Sequence, residues 1–573
     1  MIKVSKSIIY LGLATGVFTS SCNRDFLNEE AITIYTPENS LQNASQFQTA
    51  INNLYNGVRN IHYGNDINLD AYFGLFYATD FAYNATDYAP AAKLNEYEAT
   101  MLPSYTVPQE IWTLMYKIIT NANVVINRVG SSESLSDDER NKFLGEALFF
   151  RAYSYNMLAN LYGGVPLELD GQTVPRFDYT RATRAEVYQQ CRIDFETAIS
   201  MLKNIEQVRD GEVNKQIAQH YLAETLISLG DHEAAVTAAT EVINHSGLHL
   251  MTERFGRRLN DLPKNDVYRD LFEYGNQNYS SGNREGLWTL QSTFNNTASV
   301  GDRLVWAIVP ALGSLALPSS VDPGRTSRLF LNGLFNDEVS LRGVGWIRPT
   351  SHFLYTVWSD KNDIRNSPAN IVRDFRIEGV PTSSPHYGKW YVADGYKAQV
   401  LPVEFRDTIR SFYPVIRKTT VSRGDFPAPY LNGTPAPFGG SQLRNENFTW
   451  RAKYVARLAE TYLLRAEAYL AMGNTGLAAQ DINLIRARSK AGSVAAAQID
   501  IDFILDERLR ELYAEEFRVV TLGRLNRRYN RVSRYNPLSG LTIKEYHNLW
   551  PIPQNEITQN TDAVIDQNPG YRN

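Results

Sequence analysis

Eight aromatic side chains crowd residues 72–97: Tyr72, Phe73, Phe76, Tyr77, Phe81, Tyr83, Tyr88 and Tyr97, with Asp70, Asp80, Asn84 and Asp87 interleaved. Flat rings stack on the C–H faces of sugars, and neighbouring amides and carboxylates hydrogen-bond hydroxyls, so this mixture suits a hydroxyl-rich ligand. Phe73, Phe76, Tyr77 and Phe81 read as the core of one helix, which leaves Tyr83, Asn84 and Tyr88 as the contacts to expect. A second set lies far along the chain. Trp306, Trp346 and Trp358 fall in loop-rich sequence, Trp346 close to Gly345 and Arg348, whereas Trp288 sits in a strand-like run and reads as core. Arg303, Arg325 and Arg348 have the forked donors that grip a carboxylate or sulfate, or that pair with a local acid.

Cys22 offers chemistry of another kind. Lys3 and Lys6, the apolar run Ile8–Phe18 and the small residues Thr19, Ser20 and Ser21 precede it. This is the order of an export signal, and the apolar run is too short for a membrane-spanning helix, which needs about 20 residues. A cysteine at the cut looks like a bacterial lipobox, although Thr19 stands where leucine is usual. The reading expects residues 1–21 to be removed and Cys22 to carry lipid. Cys191 then remains as the one thiol, so no disulfide within the chain supports the fold.

Catalytic signatures do not emerge. The sequence holds no HExxH, GxSxG, Walker A or GxGxxG pattern. His245 and His249 are four apart with Gly247 between them, a poor pair for one helix face, and no other spacing suggests a metal or cofactor site. Glu507, Arg508, Glu511, Glu515 and Arg518 alternate in sign at helical spacing, the pattern of an ion-pair lattice between helices. The net charge of −5 becomes more acidic without Lys3 and Lys6, which argues against nucleic acid as a partner.

Helices must position these groups. Phe143–Tyr162 is apolar on more than one face, as a helix buried among others is. Ala185–Leu202 follows, and Ile217–Leu229 ends at Gly230-Asp231, where Asp231 can cap an alanine-rich successor. Tyr454–Met472 repeats the pattern, turning at Gly473-Asn474 into a helix with Ala478, Ile482 and Ile485 inward. Helix, Gly-Asp turn, alanine-rich helix is the shape of a tetratricopeptide unit, and predicts helix pairs stacked as a right-handed scaffold. Residues 245–450 carry little helical period and read as loops with short strands such as Gly286–Ser292. Asn23–Ser40 reads as a tether or an edge strand.

Several blocks together carry a resemblance: EALFFRAYSYNMLANLYGGVPL from Glu146 to Leu167, RLAETYLLRAEAYLAMGN from Arg457 to Asn474 with DINLIRARS after it, ILDERLRELYAEEFR from Ile504 to Arg518, and LWPIPQNEI from Leu549 with QNPGY at Gln567–Tyr571. In this order the chain resembles the SusD/RagB family of outer-membrane nutrient-binding lipoproteins. Glu516 departs from the family's usual glycine, and Val519–Gly523 lacks its aromatic-acidic stretch. The resemblance implies a mainly α fold of tetratricopeptide-like pairs with a loop-rich half carrying short strands. It implies a signal at 1–21, an N-terminal helical region at 22–244 and a C-terminal region at 245–573 that holds the binding loops. It also implies a lipid anchor at Cys22, a place on the outer-membrane surface, a TonB-dependent SusC-like transporter as partner, and a polysaccharide or oligosaccharide ligand. A surface glycoside hydrolase and a peptide-binding relative are the alternatives.

Overall fold

The computed structural model describes residues 41–86, 94–171, 175–260, 265–294, 299, 301–312, 343–377, 380–392, 410–420, 431–432, 441–442 and 449–572. Cys22, the 1–21 and 23–40 segments, Asp87, Tyr88 and Arg325 lie outside them.

The apolar periodicity becomes α1 (Ala44–Tyr63), α2 (Thr106–Val129), α3 (Asp137–Tyr162), α4 (Arg184–Met201), α5 (Lys215–Leu229) and α6 (His232–Ile243). Ser136 with Glu139 and Thr183 with Glu186 form reciprocal capping boxes at the starts of α3 and α4, satisfying amides that a helix start otherwise leaves bare. From Gly145 to Tyr162 every residue of α3 is buried, because α2 and α4 cover it from two sides. Gly230 takes the left-handed conformation (φ 82°) that closes α5, and the Asp231 carboxylate accepts the Ala234 amide at 3.3 Å to start α6.

Each helix packs on the next, from α1 through α6. The chain then leaves the stack for its irregular half and comes back. α7 (Leu458–Ala471) lies against α6, α8 (Thr475–Arg488) lies against α7, and α9 (Ile501–Leu512) covers α7 as well. Two shorter helices, α10 (Arg518–Arg524) and α11 (Arg528–Tyr535), follow, with α10 against α3. Leu463 of α7 is fully buried with Ala478, Ile482 and Ile485 of α8. Leu463→Asp is expected to cost roughly 4 kcal/mol or more, since it sets an unpaired charge in that core. A chemical melt whose midpoint matched wild type would refute this packing.

Strands are short and paired in twos. β1 (Ala82–Asn84) runs antiparallel to β3 (Ile347–Pro349), and β2 (Gly286–Leu290) runs antiparallel to β4 (Lys453–Arg457). The helix expected from Tyr454 therefore begins only at Leu458. Lys453–Arg457 is buried along its length and meets its backbone hydrogen-bonding demand on β2 instead. The reading of Phe73–Phe81 as one helix is also corrected. A five-residue helix, Leu69–Phe73, stops at Gly74, and turns carry Phe76, Tyr77 and Phe81, all buried, onward to β1.

The expected ion-pair lattice is present, but it is not confined to one helix. α9 ends at Leu512, so Glu515 and Arg518 reach it from beyond the helix. Glu511 contacts Arg365 at 3.1 Å, Arg457 at 3.0 Å and also Arg488. Glu507 contacts Arg365 at 2.8 Å and Arg510 at 2.8 Å. These groups are fully or almost fully buried, and they tie the irregular half (Arg365) to the end of β4 (Arg457) and to the helical stack (Arg488). Cys191 is buried in the core, where desolvation pushes its thiol pKa up.

Candidate functional site

Tyr83 from the first aromatic set and Trp346 from the second meet at one strand pair. In the β1·β3 register Tyr83 faces Arg348 and Asn84 faces Ile347. Ala85 N–H donates to the Trp346 carbonyl at 2.8 Å, and Thr350 N–H donates to the Phe81 carbonyl at 2.8 Å. Trp346 is thus fixed at one end of β3. A five-residue helix, Leu304–Ile308, brings Trp306 against it, with ring centroids 4.6 Å apart and planes crossed at 63°. The Trp306 carbonyl accepts from Val344 N–H at 3.0 Å. Behind Trp346 stands Phe73, edge-on at 6.3 Å.

Both tryptophans are partly exposed, and so is Arg348. The Arg348 guanidinium lies 6.0 Å from the Tyr83 ring and 5.4 Å from the Tyr413 ring. Tyr413 is buried, which pushes its hydroxyl pKa up, and it donates to the Ile308 carbonyl at 2.9 Å. One tyrosine therefore supports both the Trp306 helix and Arg348. Gly345 makes the approach possible. Its φ is +65°, and a Cβ there would come within 2.2 Å of the Arg410 carbonyl oxygen, so only glycine fits.

Asp80 anchors β1 from below. Its carboxylate takes Arg518 and Arg531, each at 2.8 Å. Burial alone would raise its pKa, but the two guanidinium groups overcome that and hold it well below the usual carboxylate range. The Asp80 carbonyl also accepts from Thr350 Oγ1 at 2.7 Å.

Not every expected contact is presented to solvent. Trp358 is buried between Phe353 and Tyr513, at 5.8 Å and 6.3 Å, and belongs to the core. Asn84 is buried too, and its side-chain oxygen accepts Thr86 N–H at 2.9 Å, closing a turn. Tyr83 is 8% exposed and serves mainly as the floor beneath Arg348. Trp288 is core, as read from the sequence. Trp306, Trp346 and Arg348 remain as the partly exposed platform. Tyr413 and Gly345 complete it, and nothing local in the sequence marks Tyr413 out.

Another concavity, of about 360 Å³, lies between α2, the 166–179 segment and the C-terminal segment. Trp112, Tyr116, Phe177 and Tyr179 line it with Glu168 and Glu556. Burial raises the Glu556 pKa, against a hydrogen bond from Trp112 that lowers it.

A stack of tetratricopeptide-like helix pairs that carries a ring platform on an irregular face defines a helical scaffold protein with its site built by loops. Known proteins agree with that build. Residues 25–224 match the family described as "Starch-binding associating with outer membrane", and residues 438–571 match the family described as "SusD family". The chain belongs to the SusD/RagB family. SusD-like protein P2 of Formosa agariphila is 23% identical over 568 residues, 95% of this chain and 96% of that one. Starch-binding protein SusD of Bacteroides thetaiotaomicron is 34% identical over 120 residues, 20% of this chain and 21% of its own. A solved structure titled "Laminarin binding SusD-like protein" shares the fold with a TM-score of 0.64 at 20% identity, covering 92% of this chain and all of that one.

Proposed function

We propose that this chain is a cell-surface lipoprotein that binds polysaccharide or oligosaccharide without cleaving it and delivers it to a TonB-dependent outer-membrane transporter. The carrying observation is the Trp306–Trp346 pair, held 4.6 Å apart beside Arg348 on a strand pair joined across the sequence. Crossed rings give a sugar an apolar face, and the guanidinium supplies donors to its hydroxyls. The relatives' names, one starch-binding and one laminarin-binding, support the ligand class. The outer-membrane wording of the matched family supports the location. Residues 22–244 and 245–573 serve in this reading as two sequence segments of one folding unit, since α7 returns to α6.

Calorimetry of the purified protein against a panel of plant, algal and host polysaccharides, with a reducing-end assay run on the same mixtures, tests the proposal. Binding without new reducing ends is expected. Turnover would favour a hydrolase, and binding confined to peptides would favour the peptide-capturing alternative.

The anchor has its own test. Among the described residues no helix is long and apolar enough to cross a membrane, and lipid on Cys22 is the attachment this reading requires. Cys22→Ala is expected to move the protein from the detergent phase to the aqueous phase in a phase-partition assay. A variant that still partitions with detergent would overturn the lipid assignment.

A further inference from the structure

Away from the tryptophan platform, α1 turns an unusual face to solvent. Gln48, Asn52, Asn56 and Asn60 follow one another at intervals of four, with Asn53 beside them. At 1.5 Å per residue this amide ladder is about 18 Å long. It forms one wall of a groove of about 790 Å³, whose other wall is built from the Arg209–Glu212 turn and the end of β2 at Leu290 and Gln291. Asparagine is among the weaker helix formers, so the fold alone gives no reason to place Asn52, Asn53, Asn56 and Asn60 within a single helix. The innermost rung is also unfinished. Asn60 lines the groove at its inner end and is nine-tenths buried, and its side-chain oxygen has no hydrogen-bond donor among the described residues.

Charges of both signs line this groove and balance in number, Arg59, Arg209 and the neighbouring Lys142 against Asp66, Asp210 and Glu212. Arg209 pairs with Glu212 at 2.7 Å, Lys142 reaches the same carboxylate at 3.1 Å, and Asp210 accepts the Ser280 amide at 3.2 Å. Gln48 Nε2 donates to Asn52 Oδ1 at 3.0 Å and Lys142 donates to Gln48 Oε1 at 3.3 Å, so the exposed Asn53 and Asn56, with the Asn52 amide nitrogen, are the neutral groups offered to a ligand. A side-chain amide both donates and accepts, a sugar hydroxyl does the same, and pairing the two strips no ion of its water. The apolar lining is confined to Tyr55 and Leu290, which leaves nothing to seat the side chains of a peptide.

We propose that this groove is a second saccharide site, which lays a short neutral oligosaccharide along the Gln48–Asn60 ladder. The assignment rests on the glycan-capture reading and adds to it a distinct locus and a preference for uncharged sugars. A chain held both at the tryptophan platform and along α1 gains avidity from the link between the two contacts.

The test is calorimetry with maltohexaose and laminarihexaose as neutral probes, oligogalacturonate as an acidic probe and a tryptic peptide pool as control. Three proteins are compared: wild type, the double variant Asn52→Ala/Asn56→Ala, and the double variant Trp306→Ala/Trp346→Ala. Asn52 and Asn56 are exposed and alanine favours helix, so the ladder variant is expected to fold, and its circular dichroism checks this. The expected result is two binding events for a neutral hexasaccharide in wild type. The ladder variant should lose one of them, with at least a ten-fold fall in affinity, and the tryptophan variant should keep that one. Binding by the ladder variant equal to wild type overturns the groove assignment and leaves glycan capture standing, as does a groove that takes oligogalacturonate or peptide in preference. If no glycan binds any of the three proteins, the capture reading falls, and this site falls with it.

Discussion

Glu511→Gln is expected to lower folding stability by about 3–5 kcal/mol, the range for removing one member of a buried charge pair. Its carboxylate is fully buried and touches Arg365, Arg457 and Arg488. Without it, Arg365 keeps Glu507 and Asp363, and Arg457 keeps Glu285 and Glu515. Among the described residues Arg488 keeps Glu285 alone as an ion-pair partner, so it should suffer the largest loss. Destabilisation, rather than a local adjustment, is expected because Arg365 lies in the irregular half and Arg457 lies where β4 enters α7. Losing their shared partner loosens the junction between the loops and the stack. Urea denaturation followed by fluorescence measures the effect. A midpoint unchanged from wild type would show that the lattice tolerates the lost charge.

The same lattice sets the acid limit of the fold. Burial by itself would raise the Glu511 pKa, but Arg488, Arg457 and Arg365 bring it down to about 2. Asp80 and Glu507 are likewise held low by their arginine partners. In the unfolded chain these carboxylates titrate near 4. The unfolded state therefore takes up protons that the native state refuses, and the stability they provide is present above about pH 4–5 and is lost as pH falls toward 2. Glu511→Gln removes one such group, so its stability should decline less steeply over that window than that of wild type.

How much of this was legible follows from how local each signal is. The helix pairs were, because an apolar stripe every three or four residues and a Gly-Asp stop are properties of neighbouring residues. Gly230 and Asp231 act as a break and a cap in the structure as the sequence suggested. The return of α7 to α6 was not, since nothing in either helix names its partner across the intervening segment. Tyr454 shows a different limit. Its neighbours suit a helix, yet the β2 edge claims them, and tertiary pairing overrides local preference. At the site, residue type was informative and exposure was not. Trp306, Trp346 and Trp358 look alike in sequence, but Trp358 is enclosed by Phe353 and Tyr513. Tyr83 and Arg348 lie far apart in the sequence, and only the strand register shows that they face each other. Tyr413 had no signal, because its role depends on reaching the Ile308 carbonyl through the fold.

Trp306→Ala and Trp346→Ala are each expected to weaken glycan affinity ten-fold or more, about 1.4 kcal/mol, with little change in the circular dichroism spectrum. A stacked ring gives contact area while few rotatable bonds have to be frozen. The crossed geometry makes the two substitutions unequal in kind. Trp346 rests on Phe73 and is fixed by its strand, so removing it takes away a support for Trp306 as well as a face for sugar. Removing Trp306 leaves Trp346 in place. The double variant should therefore lose less than the sum of the two single losses, as residues in contact do. Tyr83→Ala should act indirectly, by taking away a ring beneath Arg348, and its effect should be larger for a sulfated or carboxylated glycan than for a neutral one. Calorimetry against the best polysaccharide of the panel reads all four variants. If the single tryptophan variants bind as tightly as wild type, the platform is not the capture site. The cavity lined by Trp112, Tyr116, Phe177 and Tyr179 then becomes the place to look, with Phe177→Ala the first substitution there because that ring is 47% exposed.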